Sequence, residues 1–284
     1  MMNSQPGTLY VVATPIGNLG DISMRAIETL KSADRILAED TRRTQQLLTH
    51  LGIKGSLVSL HDHNEKQRVE QVAEWAQQGE SLVLVSDAGT PLISDPGYAL
   101  VSQLREKEID VVPVPGACAL IAALSAAGLP TDRFCFEGFL PAKRGARKKA
   151  LELIKQEVRT TVYYESTHRI MDMLEDMQEV LGGERYLVLA RELTKRFETF
   201  ISGTVEDVLA QLNEDTDQRK GEFVVMVKGV PSDNTSALDV SSEDVLKLLL
   251  PHVSTKTASQ IGASLTGLPK KELYQLAVQL KEGD

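Results

Sequence analysis

The sequence predicts an α/β protein with two sheet-containing domains and a small helical tail. Short apolar runs alternate with amphipathic stretches along the first half, as in a parallel sheet covered by helices on both faces. Residues 197–201 alternate like a half-buried strand, and the second sheet is expected to be mixed. The 284 residues, 42% hydrophobic and 25% charged, are ordinary for a globular chain of about two domains.

Five strands, each followed by a helix, are predicted in the first domain, residues 1–127. The strands are residues 9–13, 35–38, 57–60, 82–85 and 110–114. The helices are residues 23–32, 44–51, 65–78, 98–107 and 117–127. Gly52 and Gly79 directly follow two of these helices, and glycine is the usual residue beyond a last helical turn.

Turn-rich residues 128–132 separate the first domain from the second, residues 132–229. Strands are predicted there at residues 161–164, 186–190, 197–201 and 223–227. A second linker at residues 229–239 precedes a helical tail, residues 240–284. Residues 257–265 and 269–280 flank a turn like the halves of a helix-turn-helix, with Pro269 well placed at a helix start. A simple packing appendage is the alternative for the tail.

Composition excludes several classes of protein. A formal net charge of −9 argues against a polycation that coats nucleic acid, although a local basic patch remains compatible with it. Two cysteines, Cys118 and Cys135, provide no disulfide framework. The first eight residues lack the pattern of a signal peptide, and no apolar run approaches the roughly 20 residues that span a bilayer. A cytoplasmic protein without a membrane partner is expected.

The loops after the strands are the candidate ligand-binding segments, because ligands bind beyond the carboxyl ends of parallel strands. No dinucleotide fingerprint, P-loop or serine nucleophile elbow is present. The loop at residues 86–97 is the most informative, since Asp87 directly follows a strand. For Asp95, turn chemistry is the alternative to a role in ligand binding. His61 and His63 have a spacing that alone is weak evidence for zinc, and no metal site is predicted.

Several segments, in this order, resemble the ribosomal RNA small subunit methyltransferase I family of the tetrapyrrole methylase superfamily. They are residues 13–22, 38–42, 60–65, 86–97, 113–116, 125–130, 136–141, 164–169, 190–195 and 220–222. Porphyrin-specific relatives carry G-x-G-P-G-D after the first strand. Here only Pro15 and Gly17 match that motif, which fits the RNA branch.

The resemblance implies two α/β domains with S-adenosyl-L-methionine in the cleft between them, usually in a homodimer. It implies methyl transfer to the ribose 2′-hydroxyl of a cytidine in the decoding region of 16S ribosomal RNA, within the small ribosomal subunit. The implied cofactor contacts are Pro15, Ser86, Asp87, Ala88, Ile93, Cys118, Ala119, Tyr164, Leu193, Gly221 and Glu222.

A ribose hydroxyl is a poor nucleophile, so a general base is expected to assist. Glu165 and His168 are preferred because they follow a strand of the second domain, and Lys195 or Arg191 is a candidate to stabilise the developing alkoxide. A structural hydrogen bond is the alternative role for each. The other candidate bases are Glu39, Asp40, His63, Glu65 and Glu192.

RNA binding requires positive charge along the phosphate track. Residues 143–149 contain five cations and no acid, and Arg42 and Arg43 extend the expected track. The five cations are Lys143, Arg144, Arg147, Lys148 and Lys149, and the tail adds Lys256, Lys270 and Lys271. A solvated helix face is the alternative. The competing functions are methylation of a tetrapyrrole or other small molecule, and a non-catalytic ribosome-binding factor with the same fold.

Overall fold

A computed structural model of the chain describes residues 7–61, 64–231 and 241–282. Residues 1–228 and residues 229–284 form separate compact units. None of the helices in the described ranges combines the length and hydropathy required to cross a membrane.

The first sheet is parallel throughout, as predicted, with strand order β3-β2-β4-β1-β5. Its buried strands are rich in valine, leucine and isoleucine, so both faces are covered by helices and two apolar cores form. The strands are β1 (Thr8–Val12), β2 (Arg35–Ala38), β3 (Leu57–Ser59), β4 (Leu82–Val85) and β5 (Asp110–Val114). The helices are α1 (Met24–Ser32), α2 (Thr41–His50), α3 (Glu65–Gln77), α4 (Tyr98–Glu106) and α5 (Ala119–Ala126).

The second sheet is mixed, which confirms the predicted class. Its order is β6-β7-β10-β8-β9, and within it only β6 and β7 run parallel. The strands are β6 (Phe134–Phe139), β7 (Thr160–Ser166), β8 (Tyr186–Arg191), β9 (Thr199–Thr204) and β10 (Glu222–Val227). The helices are α6 (Arg144–Leu153), α7 (Ile170–Leu181) and α8 (Val205–Glu214).

Two strand assignments differ from the sequence-based expectation. Strand β6 is absent from that expectation, because its sequence FCFEGF contains a glycine and lacks a regular alternation of apolar and polar residues. Strand β9 begins two residues later than predicted and extends to Thr204, whose side chain caps α8. The capping fixes where the strand ends and the helix begins.

Helix α5 belongs to the first half by chain order but packs on the second sheet. Its side chains Leu120, Ala123 and Leu124 share a buried core with Val162 and Val224. The helix therefore covers one face of the second sheet, while α6, α7 and α8 cover the other. This packing brings the end of β5 close to the second sheet and fixes the position of the cleft.

The tail contains three helices, as predicted: α9 (Ser242–Leu249), α10 (Thr255–Thr266) and α11 (Lys270–Glu282). Ser241 and Ser254 cap the first two, and Gly267, with φ of +69°, ends α10 in the left-handed region that favours glycine. The buried core of the tail is formed by Leu246, Ala258, Leu273 and Ala277. Most of the predicted second linker lies outside the described residues.

Candidate active site at the cleft

A cavity of about 320 Å³ lies between the carboxyl ends of the first sheet and the face of the second sheet that carries Tyr164. It is a concave site of the size that small-molecule ligands occupy. Eight of the eleven residues implied as cofactor contacts line it: Asp87, Ala88, Ile93, Cys118, Ala119, Tyr164, Leu193 and Glu222. Pro15, Ser86 and Gly221 do not line the cavity but adjoin residues that do.

The loops after β1 and β4 are held together by a short bridge at the floor of the cavity. The Thr14 and Gly89 backbones exchange two hydrogen bonds, of 2.8 and 3.0 Å. Gly89 has a φ of +82°, and a Cβ there would lie 3.2 Å from Ile16 Cγ2. A side chain at position 89 would therefore be strained and would press on the cavity wall, which explains the glycine.

Asp87 organises the edge of the first sheet. Its Oδ1 accepts a hydrogen bond of 3.0 Å from the Asp40 backbone N–H, and its Oδ2 lies 3.3 Å from an Arg43 guanidinium nitrogen. Ser86, buried beside it, donates to the Ala88 carbonyl. Asp87 thus presents a carboxylate to the cavity while holding the start of α2 in place.

Arg42 and Arg43, predicted as RNA contacts, are both paired with carboxylates of this edge. Arg42 lies 2.7 Å from Asp40 Oδ2, and the hydrogen bonds from Arg42 hold the pKa of Asp40 well below its usual range. A carboxylate with so low a pKa is a weak base. Asp40 is therefore a less favourable general-base candidate than a carboxylate with a raised pKa.

Asp95 also lines the cavity, although it is not among the residues that the sequence singled out as site candidates. Burial raises the pKa of its carboxyl to about 6, with an opposing effect from a Ser86 hydrogen bond and a further increase from the charges of Glu39 and Asp87. Leu92 and Ser94, in the same loop, have φ of +72° and +67°. Such backbone costs free energy in non-glycine residues and clusters at functional sites, which is the signal that singles out this loop.

Tyr164 connects the second sheet to the first half of the chain. Its phenol oxygen accepts a hydrogen bond of 3.1 Å from the Leu120 backbone N–H, in the first turn of α5. Burial raises the pKa of Tyr164 above its ordinary value, so the phenol stays protonated. The rings of Phe136 and Phe139 approach Tyr164 edge to face, at 4.8 and 5.8 Å between centroids.

Lys195 lines the cavity between two carboxylates of the second sheet and its loop. Its Nζ is 2.9 Å from Glu192 Oε1 and 2.8 Å from Glu222 Oε2. Burial acts to lower the pKa of Lys195, but these hydrogen bonds outweigh it and raise the pKa. A Cβ on Gly17 would lie 2.5 Å from Lys195 Cγ, so the absence of a side chain at Gly17 lets the loop after β1 reach this wall.

The two preferred base candidates do not come together. Glu165 is buried at the cavity lining, but its Oε1 accepts a hydrogen bond of 2.8 Å from the Ser166 backbone and its Oε2 lies 3.3 Å from Arg169. Because it follows Tyr164, strand alternation directs it away from the face that carries the phenol ring. His168 is exposed and does not line the cavity.

Glu65, Glu192 and Arg191 make structural hydrogen bonds or ion pairs. Glu65 accepts a hydrogen bond of 2.8 Å from the Leu100 backbone and joins α3 to α4. Glu192 is paired with Lys195, and Arg191 donates to backbone carbonyls, including that of Phe197 at 3.1 Å. His63 lies outside the described residues, and no metal-ligand cluster occurs among those that are described.

The basic segment is compensated by acids that arrive from α7. Arg144 lies 2.8 Å from Asp176 and Lys148 lies 2.5 Å from Glu179. Arg147 is only 3% exposed and lies 2.7 Å from Asp176 Oδ2. The expectation that Arg147 contacts RNA is thus corrected: it has almost no surface to offer a partner. Lys143 and Lys149 remain exposed, with no ion pair to any residue in the described ranges.

Two family models match the chain. One, described as Tetrapyrrole (Corrin/Porphyrin) Methylases, matches residues 8–209. The other, described as the RsmI C-terminal HTH domain, matches residues 236–281. Together they cover the first sheet, strands β6 to β9 of the second sheet and nearly all of the helical tail.

Curated relatives are similar along nearly the entire chain. A protein named ribosomal RNA small subunit methyltransferase I from Haemophilus influenzae is 53% identical over 278 residues, covering 98% of this chain and 98% of its own length. The protein of the same name from Escherichia coli O157:H7 is 52% identical over 277 residues, covering 98% and 96% respectively.

Solved structures share the fold at low sequence identity. A diphthine synthase superimposes with a TM-score of 0.59 at 16% identity, covering 95% of this chain and 100% of its own. Uroporphyrin-III C-methyltransferase from Thermus thermophilus, solved with S-adenosyl homocysteine, gives 0.53 at 19% identity, covering 78% of this chain and 97% of its own.

Proposed function

We propose an RNA methyltransferase function, since this chain belongs to the ribosomal RNA small subunit methyltransferase I family. The reaction is methyl transfer from S-adenosyl-L-methionine to the ribose 2′-hydroxyl of a cytidine in the decoding region of 16S ribosomal RNA. The observation that carries the proposal is the full-length similarity to proteins of that name, together with a cleft lined by the residues implied as cofactor contacts. A cytoplasmic homodimer acting on the small ribosomal subunit is part of the proposal.

The cavity is chemically suited to the cofactor. Ile93, Leu193 and Val224 provide apolar wall, while Asp87 and Asp95 provide carboxylates that favour a cationic ligand. When bound, S-adenosyl-L-methionine supplies a methyl group on a positively charged sulfur. The protein's own contribution is to align the ribose oxygen and exclude water.

Asp95 is the best-supported acceptor for the proton of the ribose hydroxyl. It lines the cavity, and its raised pKa of about 6 makes it a more effective base than an ordinary aspartate while leaving it ionised at neutral pH. Two other carboxylates of the lining, Asp87 and Glu222, each face a cation within 3.3 Å. The Glu165 side chain is directed away from the Tyr164 face and lies 3.3 Å from Arg169. Glu165 and His168 remain the alternative proposals from the sequence.

Lys195 is proposed to stabilise negative charge on the ribose oxygen. Its pKa is raised, so the ammonium carries its charge throughout the physiological range. Glu192 and Glu222 hold Nζ at the cavity wall rather than in bulk water. A fixed cation of this kind stabilises a developing oxyanion without reorganising during the reaction.

The RNA backbone is proposed to run along the exposed cations near the end of β6. Lys143 and Lys149 are exposed, and the Arg144 side chain is 64% exposed even though it is paired with Asp176. Arg42 and Arg43 extend the positive edge on the first sheet while paired with Asp40 and Asp87. The Arg42 and Arg43 side chains are 87% and 66% exposed, so a phosphate can approach each guanidinium while the carboxylate partner stays in place.

The proposal is tested by two measurements on the full-length protein. Calorimetry should detect binding of S-adenosyl-L-methionine, and methyl incorporation should occur in small ribosomal subunits that lack the modification. The product should be a cytidine whose 3′ phosphodiester bond resists alkaline hydrolysis, because its 2′-oxygen is blocked. Methylation of a tetrapyrrole instead, or cofactor binding without any transfer to subunits or free 16S RNA, would reject the substrate assignment.

A further inference from the structure

Strand β6 contains a bulge immediately before it ends. Phe136 pairs with Val162, but Phe139 pairs with Tyr164, so three steps along β6 match two steps along β7. Gly138 lies at the irregularity with a φ of +66°. A bulge with a left-handed glycine inserts one extra residue and re-aims the side chains that follow.

The bulge places Phe139 on the cleft face of the sheet. In a regular strand, Phe136 and Phe139 would point to opposite faces, since side chains alternate. Here both rings contact Tyr164, and Phe139 lines the cavity. The next residue, Leu140, is buried in the core on the other side of the sheet.

Phe139 is a large apolar side chain left largely in solvent. It is 53% exposed, and its ring is inclined at 65° to the ring of Tyr164. The exposed cations of residues 143–149 begin four residues later. An aromatic ring beside a cavity and a basic segment is the arrangement with which proteins hold unstacked bases of single-stranded RNA.

We propose that Phe139 is the stacking platform for the base of the nucleotide whose ribose is methylated. The inference rests on the proposed function, because a ribose drawn into the cleft must bring its base out of the RNA stack. A π face accepts any base, so Phe139 positions the nucleotide rather than selecting cytosine. It is therefore a positioning residue for RNA, at the rim of the cavity proposed for the cofactor.

Gly138 links this platform to the Asp95 loop. A Cβ at position 138 would lie 3.3 Å from Ser94 Oγ, and the left-handed φ disfavours any side chain there. Ser94 directly precedes Asp95, the proposed proton acceptor. The bulge therefore lies close to the loop that carries the proposed proton acceptor.

The test compares steady-state kinetics of Phe139→Ala, Phe139→Leu and Phe139→Trp with the wild type on subunits lacking the modification. Phe139→Ala should raise KM for the subunit by about 5- to 150-fold, the range expected for loss of one base–aromatic stack. Phe139→Leu should be similarly impaired and Phe139→Trp should be close to wild type. Because Phe139 also lines the cavity, calorimetric affinity for S-adenosyl-L-methionine can fall slightly, but by much less than the change in KM for the subunit.

Phe134→Ala is the matched control, because Phe134 is on the same strand, is 38% exposed and does not line the cavity. It should behave like the wild type in both assays. A wild-type KM in Phe139→Leu or Phe139→Ala, or a parallel loss of cofactor affinity, would overturn the inference while leaving the proposed function intact. A wild-type protein that methylates no RNA would instead reject the proposed function and the inference with it.

Discussion

The phenol oxygen of Tyr164 accepts a hydrogen bond of 3.1 Å from the backbone N–H of Leu120. Tyr164 lies in β7 and Leu120 in the first turn of α5, so the bond joins strand and helix at the cavity wall. The first N–H groups of a helix have no partner inside the helix. Tyr164 thus satisfies one of them and fixes where the chain crosses from the first sheet to the second.

Tyr164→Phe should destabilise the protein by about 1–2 kcal/mol, because the Leu120 N–H loses its partner in a partly buried site. Urea unfolding should show a lower midpoint with an unchanged slope. Affinity for S-adenosyl-L-methionine should also fall, since the start of α5 supplies Cys118 and Ala119 to the cavity wall. Tyr186→Phe, on an exposed tyrosine at the start of β8, is the control and should change neither quantity.

Arg147→Ala should cost about 3 kcal/mol of unfolding free energy. Asp176, which is 1% exposed, would lose one of its two guanidinium partners, and breaking a buried pair is strongly destabilising. Urea unfolding measures the cost, with Lys149→Ala expected to stay within about 0.5 kcal/mol of wild type. Unchanged stability with reduced RNA affinity would instead restore Arg147 as an RNA contact.

Lys143→Glu combined with Lys149→Glu should weaken RNA binding without changing stability. Both lysines are exposed. Each lysine–phosphate interaction lost should reduce the slope of log affinity against log salt by about one, so the double variant should reduce it by about two. Filter binding at several salt concentrations measures this slope. The control pair is Lys31→Glu with Lys54→Glu, two exposed lysines in the segments that precede β2 and β3. Equal effects of the two pairs would indicate a general charge effect rather than a track.

Asp95→Asn should stabilise the protein at neutral pH while lowering kcat. The pKa of Asp95 is about 6 in the folded protein and near 3.8 when unfolded, so the folded state binds the proton more tightly and loses stability as pH rises between these values. The stability difference between variant and wild type should therefore be near zero at pH 4 and grow through pH 6. It should reach about 1–2 kcal/mol above pH 7, after allowance for solvent screening.

The pH dependence of kcat should report the ionisation of the Asp95 carboxyl. Wild-type kcat should rise through about pH 6 as the Asp95 carboxyl loses its proton, and this limb should disappear in Asp95→Asn. The affinity for S-adenosyl-L-methionine at pH 8 should differ by less than about tenfold between the two proteins, which corresponds to about 1.4 kcal/mol of binding free energy. A variant with the wild-type kcat and pH profile would exclude Asp95 as the proton acceptor.

The order of motifs and the apolar patterning were sufficient for the fold class, the strands of the first sheet and the helical tail. These features depend on neighbours in sequence: short buried strands bounded by polar turns, and caps such as Ser241 and Gly267 at helix ends. The sequence was also sufficient to predict which segments form the cleft, because the carboxyl ends of parallel strands meet at one edge of the sheet.

Only tertiary packing decided which cations of residues 143–149 are available to a partner. Five cations without a local acid indicated a free basic surface, but Asp176 and Glu179 approach from α7, about 30 residues later in the chain. Only that packing buries Arg147 and leaves Lys143 and Lys149 exposed. Local composition does not record which helix faces which.

Tertiary structure also decided the surroundings of Asp95 and Phe139. In sequence, Asp95 is one of several turn residues, and its raised pKa arises only from burial beside Glu39 and Asp87. Phe139 turns toward the cleft because a bulge adds one residue to β6, and a shift of one residue reverses the face that a side chain occupies. The sequence by itself determined the family, the sheets and the segments that form the cleft. Burial, register and long-range ion pairs determined which side chains in those segments are available for chemistry.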